Sequence, residues 1–163
     1  VARFWPADAT DIVQVNEVIP ALRAFAEAHP DVAGTWRSLA RAELVVGRPE
    51  DALVDFARAS ELAPDDDDLR AEYWAELGKL QRYQDILTDA ARVTEIGKRD
   101  WKLRWNEAEA YAGLGKKVEA RAAFSAINFD QALHVDVRKR AKRAVKSLDQ
   151  PATGTPVDEG TPG

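Results

Sequence analysis

The stretch Gly47–Pro64, "GRPEDALVDFARASELAP", decides the fold class of this 163-residue chain. Between its glycine and its closing proline, one large ring alternates with small residues, at Ala52, Phe56 and Ala59. A glycine followed closely by a proline is typical of the end of one helix and the start of the next. Small residues at this spacing let two antiparallel helices approach closely, and the ring fills the gap to a further pair. The stretch therefore predicts the second helix of a helical hairpin.

The pattern returns at a constant interval along the chain, so that Gly47 corresponds to Gln81 and then to Gly115. Several columns share this register, and a fixed period of this order is the mark of a repeat protein. A helical repeat is therefore favoured over a bundle with accidental spacing. The other equivalences are Ala40 with Trp74 and Ala108, Ala52 with Ile86 and Ala120, Phe56 with Ala90 and Phe124, and Ala59 with Val93 and Ile127.

These residues resemble the tetratricopeptide repeat (TPR), a 34-residue helix–turn–helix unit with the pattern W-x2-L-G-x2-Y, then A-x3-F, then P. Residues 33–66 match it best, although Glu43 stands where the pattern has tyrosine. Residues 101–134 match well, and residues 67–100 are identified mainly by register. The matching positions of the first unit are Trp36, Leu39, Ala40, Gly47, Ala52, Phe56, Ala59 and Pro64, and those of the third are Ala108, Tyr111, Gly115, Ala120 and Phe124.

The resemblance implies an all-α, right-handed α-solenoid over residues 1–149, in which each hairpin buries the face of its neighbour. The expected order is a partial unit at about 9–30, full units at 33–66, 67–100 and 101–134, a capping helix at 135–148 and a disordered tail at 150–163.

The degenerate second unit suggests a volume exchange in the core. Trp74 stands where the family has glycine or alanine, and Ala90 stands where it has a large ring. We hypothesise that the Trp74 indole fills the volume that Ala90 gives up, because cores tolerate neither voids nor overfilling.

Prolines and carboxylates in the sequence also indicate where helices begin and end. The carboxylates of residues 65–68 follow a helix-ending proline and suit the N-terminus of the next helix. Asp8 or Thr10 is expected to cap the first helix, and Pro20 is expected to kink or split it.

The net charge and the residue composition restrict the classes of function that the chain can have. The formal net charge is −5, with −7 on residues 1–134 and +4 on residues 135–149. An acidic body argues against general nucleic-acid binding. The chain has no cysteine, no apolar run long enough to span a membrane and no signal peptide. Because it also has no methionine, we expect it to be a processed product or an excised fragment, and the compartment stays open between cytoplasm and periplasm. The richness in Ala, Arg and Asp suggests a bacterial source.

No motif predicts catalysis, a metal or a cofactor. His29 and His134 lack fixed-spacing partners, and residues 65–68 lack the ligand order of a calcium loop. The "GLGKK" segment at 113–117 lacks the spacing of a phosphate loop and is expected to be an inter-helix turn.

In the TPR family the first helices line a concave groove that holds a peptide or a partner helix. The resemblance therefore implies a non-catalytic scaffold for a protein or peptide ligand. Transferred to this register, the groove positions are Arg37, Arg41 and Leu44 in the first unit, Ala71, Glu72, Ala75 and Lys79 in the second, and Lys102, Trp105, Asn106 and Glu109 in the third.

Three alternatives remain open at this point. The chain could be the TPR domain of a larger enzyme, or it could associate with itself through an exposed end of the array. The segment 28–44 also resembles the TPR domain of bacterial cytochrome c maturation, which implies a part in an assembly complex.

The charged groove positions can be compared with those of a carboxylate-binding TPR subclass. One TPR subclass clamps the C-terminal carboxylate of chaperones with five groove residues. At those positions Glu72 would repel a carboxylate and Asn106 lacks a cation, so the sequence argues against a clamp. The remaining three are Arg37, Arg41 and Lys102.

The last predicted helix carries a cluster of basic residues. We expect it to be a solvated face, and the alternative is a site for an acidic partner, an anionic lipid or nucleic acid. The cluster comprises Arg138, Lys139, Arg140, Lys142, Arg143 and Lys146.

Overall fold

A computed structural model describes residues 9–93 and 95–150, and all regular structure in these ranges is helical. The expected all-α class is thus confirmed. Asp8, the side chain of Thr10 and residues 151–163 lie outside the described part, so the expected cap and tail stay predictions. The α-helices are α1 (Ala9–Ala28), α2 (Ala33–Val45), α3 (Pro49–Leu62), α4 (Asp67–Lys79), α5 (Tyr83–Ala90), α6 (Trp101–Gly113), α7 (Lys117–Phe129) and α8 (Val135–Ser147), with a 3-10 turn at Ile96–Lys98.

The helices start in the register of the repeat. The first helices α2, α4, α6 and α8 begin at 33, 67, 101 and 135, and the second helices α3, α5 and α7 begin at 49, 83 and 117. Each helix packs against its neighbours in the chain, and α4 also packs against α6. This sequential packing is that of an α-solenoid. The right-handed sense of the solenoid stays a prediction.

The turn inside each pair explains the spaced glycines. Gly47, Gln81 and Gly115 have φ angles of 77°, 57° and 71°, all in the left-handed region. This conformation lets the next N–H close the helix end by bonding a carbonyl five residues back. The bonds run from Arg48 to Glu43, from Arg82 to Leu77 and from Lys116 to Tyr111, each 2.9 Å long.

Packing within the first pair follows the opening pattern. Ala52 and Ala59 are fully buried and share a cluster with Ala40 of α2, so α2 and α3 lie close together. Phe56 belongs to the same cluster and reaches Leu69 of α4 in the next pair. The alanines therefore permit close approach and the ring joins two pairs, as the sequence predicts.

The second pair is irregular. The buried indole of Trp74 lies in one cluster with Ala90, as the volume hypothesis requires, and its Nε1 donates to Asp89 Oδ2 over 2.8 Å. Helix α5 has 8 residues, whereas α3 has 14 and α7 has 13. Val93 and Ile96, which follow α5, pack against the same cluster and complete it without a further turn of α-helix.

The carboxylates of residues 65–68 cap and link the pairs. Asp66 accepts a hydrogen bond from Leu69 N at 2.9 Å, which caps α4 as predicted. Asp67 accepts from Asp100 N at 2.8 Å and from Arg99 Nε at 2.7 Å, which ties the start of α4 to the start of α6.

Pro20 lies inside α1 and the helix continues through it, so the proline does not split the helix. The alternative expectation of a kink stays a prediction.

Candidate functional site

The face formed by the first helices contains two adjacent cavities. Cavity 1, of about 660 Å³, lies between α2 and α4 beside α3. Its apolar lining comprises Leu44, Pro49, Phe56 and Leu80. Its charged lining is Arg41, Glu72, Glu76 and Lys79.

Cavity 2, of about 430 Å³, lies between α4, α6 and α8. It contains two indoles, Trp101 and Trp105, beside the small side chains of Ala71 and Ala75. Its polar and charged lining is Asp68, Glu72, Lys102, Asn106, Glu109 and Arg140.

The structure brings most of the sequence-predicted groove residues together. Glu72 lines both cavities and joins them into one surface, hereafter the groove. Arg37 lines neither cavity, but its side chain is bonded to Glu72. That the groove holds a partner stays a prediction. Ten of the eleven residues line it: Arg41, Leu44, Ala71, Glu72, Ala75, Lys79, Lys102, Trp105, Asn106 and Glu109.

Glu72 is the electrostatic centre of the groove. Arg41 donates to its carboxylate from Nε at 2.9 Å and from a terminal nitrogen at 2.5 Å, and Arg37 donates from Nε at 3.3 Å and from a terminal nitrogen at 2.5 Å. Burial alone would raise the pKa of Glu72, but the hydrogen bonds from both arginines outweigh it and hold that pKa below its ordinary value. Glu72 therefore neutralises one of the two positive charges that Arg37 and Arg41 bring to this part of the surface.

The groove lysines are paired as well. Lys102 Nζ lies 2.5 Å from Asp68 Oδ1, and Lys79 Nζ lies 2.6 Å from Glu76 Oε1. Hydrogen bonding to Asp68 raises the pKa of Lys102, so this lysine stays charged at neutral pH. A ligand carboxylate would have to compete with these acids for each cation. The geometry thus agrees with the sequence argument against a carboxylate clamp.

Trp105 forms the floor of cavity 2. Only 7% of its surface is exposed, its ring meets Phe124 edge-on at 5.0 Å, and the Arg140 guanidinium lies 4.0 Å from the ring centroid. Asn106 donates from Nδ2 to the carbonyl of Ala71 at 3.1 Å, which fixes its side chain between α6 and α4. The groove therefore has a rigid aromatic floor and a polar rim of fixed geometry.

A relative supports the repeat assignment. Over 94 residues the chain is 34% identical to the Hsp70-Hsp90 organizing protein of Triticum aestivum, a TPR protein. This similarity and the helices described above are consistent with TPR-like repeats. The alignment covers 57% of the chain and 16% of the relative, so this TPR-like chain spans less than a fifth of that protein. No family model matches the chain.

Arg140 is the groove residue that the sequence analysis placed elsewhere, in the basic cluster. It lies one repeat period after Asn106, just as α8 begins one period after α6. Extending the repeat register beyond residue 134 would have placed Arg140 at a groove position. Trp101 was missed because the pattern expects its tryptophan three positions later, where Arg104 stands.

The two histidines have structural contacts within the fold. His134 Nδ1 accepts from Asp136 N at 3.3 Å and caps α8, and the His29 ring lies 4.5 Å from that of Phe25. Among the described residues, no three His, Cys, Asp or Glu side chains are grouped so that they could hold a metal ion. None of the described helices is long and apolar enough to cross a membrane.

Proposed function

We propose that this TPR-like chain is a non-catalytic scaffold that binds a peptide or a segment of a partner protein in the groove. The observation that carries the proposal is the continuity of cavities 1 and 2 across Glu72 on the first helices. Repeat proteins use such extended surfaces for binding. The similarity to a protein named for organizing two chaperones supports a protein ligand rather than a small molecule.

The ligand of this proposal is recognised by shape and apolar contact more than by charge. The groove cations are already paired with Glu72, Glu76 and Asp68, so a ligand gains little by offering further carboxylates. Each apolar ligand side chain that becomes buried contributes about 1.5 to 3 kcal/mol. Three such anchors give about 4.5 to 9 kcal/mol before ordering costs are subtracted, so a micromolar complex, at ~8 kcal/mol, needs further contacts along the groove.

Nucleic acid is not the proposed ligand, because residues 1–134 carry a formal charge of −7. Self-association through the groove would appear as a dimer that the groove variant Ala75→Arg dissociates.

The test selects ligands and then blocks the groove. A displayed library of random 12-residue peptides is enriched on the immobilised full chain, and the affinities of enriched peptides are measured by fluorescence anisotropy. Ala75→Arg places a long side chain in cavity 2 next to Glu72. Val118→Arg is the matched control, since Val118 is an exposed residue on the second helix α7.

The proposal expects Ala75→Arg to weaken binding about tenfold or more and Val118→Arg to leave it unchanged. Equal binding by both variants would move the site away from the groove and overturn the proposal. Sedimentation at rising protein concentration then separates the self-association outcome: a dimer that Ala75→Arg dissociates would assign the groove to a second copy.

A further inference from the structure

Helix α8 stands in the register of a first helix without a described second helix. It begins one repeat period after α6, and its Ala141 packs, together with Val137, into the cluster that contains Phe124 of α7. In the preceding first helices, one register position faces the second helix of the same pair and is fully buried; it holds Ala40, Trp74 and Ala108. On α8 the same position is Lys142, which is exposed.

The exposed side of α8 carries uncompensated positive charge. Its unpaired cations are spaced three and four residues apart, so they share one side of the helix. Among the described residues none of them forms an ion pair with a carboxylate, whereas the groove cations are paired. These cations are Lys139, Lys142, Arg143 and Lys146.

The same side is also concave. The four cations, together with Val145 and Asp149, line a recess of about 520 Å³. Val145 and the aliphatic stems of the lysines give this recess an apolar floor, and the ammonium groups surround it. A recess of this composition fits a helix with apolar residues on one face and carboxylates beside them.

We infer that α8 binds an acidic amphipathic helix of a partner protein, which takes the place of a second helix for the fourth pair. Charge complementarity selects this occupant, because a second helix with the alanines of α3 would bury Lys142 without a counter-ion, which is strongly unfavourable. Carboxylates spaced by three or four residues would meet the cations along the ~20 Å of α8. This surface is separate from the groove and does not rest on the function proposed for it.

Two other polyanions could meet a row of cations, a nucleic acid or an anionic membrane. Both extend beyond α8 and would also meet the acidic body of the chain, where residues 1–134 carry −7, whereas a short helix needs to contact α8 alone. The concave, partly apolar recess also favours a helix over a flat lipid surface or a phosphate backbone.

The experiment uses a displayed library of 16-residue amphipathic helices. The apolar register of α3 is kept in every member, all other positions are randomised, and the library is enriched on the full chain. Enriched peptides are measured against three proteins: wild type, the double variant Lys142→Glu, Lys146→Glu, and the control double variant Arg92→Glu, Lys98→Glu. All four substituted residues are exposed, and circular dichroism verifies that the helical content is retained.

The inference expects acidic peptides to be enriched and to bind the α8 variant at least about tenfold more weakly than wild type, with the control unchanged. The groove variant Ala75→Arg should retain this binding, so failure here is distinguishable from failure of the proposed function. Enrichment of neutral or basic peptides, or equal loss in both double variants, would overturn the inference. So would binding to phosphatidylglycerol vesicles or a 20-base-pair DNA duplex when no acidic peptide is enriched.

Discussion

A buried acidic pair should make the stability of this protein depend on pH near neutrality. Glu43, at the position where the TPR pattern has tyrosine, is 1% exposed and lies near the equally buried Asp55 of α3. Arg23 of α1 bonds the Glu43 carboxylate and lies 3.4 Å from Asp55 Oδ2. Glu43 Oε2 accepts no hydrogen bond within the described residues. In the described part of the chain, Arg23 is therefore the single cation that contacts two buried carboxylates. The substitution Glu43→Gln removes one of the two negative charges and tests the consequence.

The sign and size of the effect follow from the pKa of Glu43. Burial, and then the negative charge of Asp55, raises this pKa from 4.5 to about 7, although Arg23 opposes the rise. Burial raises the pKa of Asp55 as well. Between pH 4.5 and 7 the folded chain holds a proton that the unfolded chain has lost, so the free energy of unfolding falls as pH rises. The loss from pH 5 to pH 8 is about 2 to 3 kcal/mol.

The assay is urea unfolding of wild type and Glu43→Gln at pH 5, 6, 7 and 8. The free energy of unfolding of the variant, relative to wild type, should rise by about 2 to 3 kcal/mol over this range, or ~1 M in urea midpoint. The neighbouring carboxylates Glu27 and Asp51 are present in both proteins, so the comparison isolates Glu43. Glu61→Gln, an exposed change on α3, should follow wild type. A difference between Glu43→Gln and wild type that is constant from pH 5 to pH 8 would refute the reasoning.

Four further substitutions test the backbone conformation and the packing. Gln81→Gly should raise the free energy of unfolding by about 1 kcal/mol, because Gln81 is held at φ 57°, and an unchanged urea midpoint would contradict this. Gly113→Ala should destabilise by about 1 to 3 kcal/mol, since a Cβ there would overlap the Tyr83 ring, whereas Gly34→Ala meets nothing within 4 Å and should gain up to ~1 kcal/mol in the same urea assay. Trp74→Ala should cost about 3 to 5 kcal/mol and lower Tm by roughly 10 °C in calorimetry; an unchanged Tm would contradict the exchange of volume in the second pair.

The helix register could be predicted from sequence because residues close to each helix end determine where that helix begins and ends. A glycine before a proline ends one helix and starts another, as at Gly47 and Pro49, and one such signal fixes the phase of all the pairs through the constant repeat period. The same register predicted the second-pair cluster at Trp74. It also located the groove residues, because the position on a first helix decides which face a side chain shares.

The charges of the groove could not be predicted in this way. Arg41 and Glu72 are 31 residues apart, and their pairing depends on how closely α2 and α4 approach. From the sequence, Glu72 is merely a residue unfavourable to a ligand carboxylate. In the fold it also accepts hydrogen bonds from two arginines and neutralises one of their two charges. Likewise, nothing in the repeat period indicates that α5 stops at Ala90 and that Val93 completes the core from an irregular segment.

The two proposed surfaces differ in how they handle charge, and this difference separates them experimentally. In the groove, ion pairs such as that of Arg41 with Glu72 are satisfied before a ligand arrives, so salt should change ligand affinity little. On α8, Lys142 and Lys146 gain their carboxylates only from the partner, so the affinity should fall steeply as the ionic strength rises. A chain with both surfaces can hold one partner by shape and a second by charge, which is the arrangement that a scaffold for two proteins requires. Salt titrations of the two selected peptide classes that ran parallel would show that a single surface binds both.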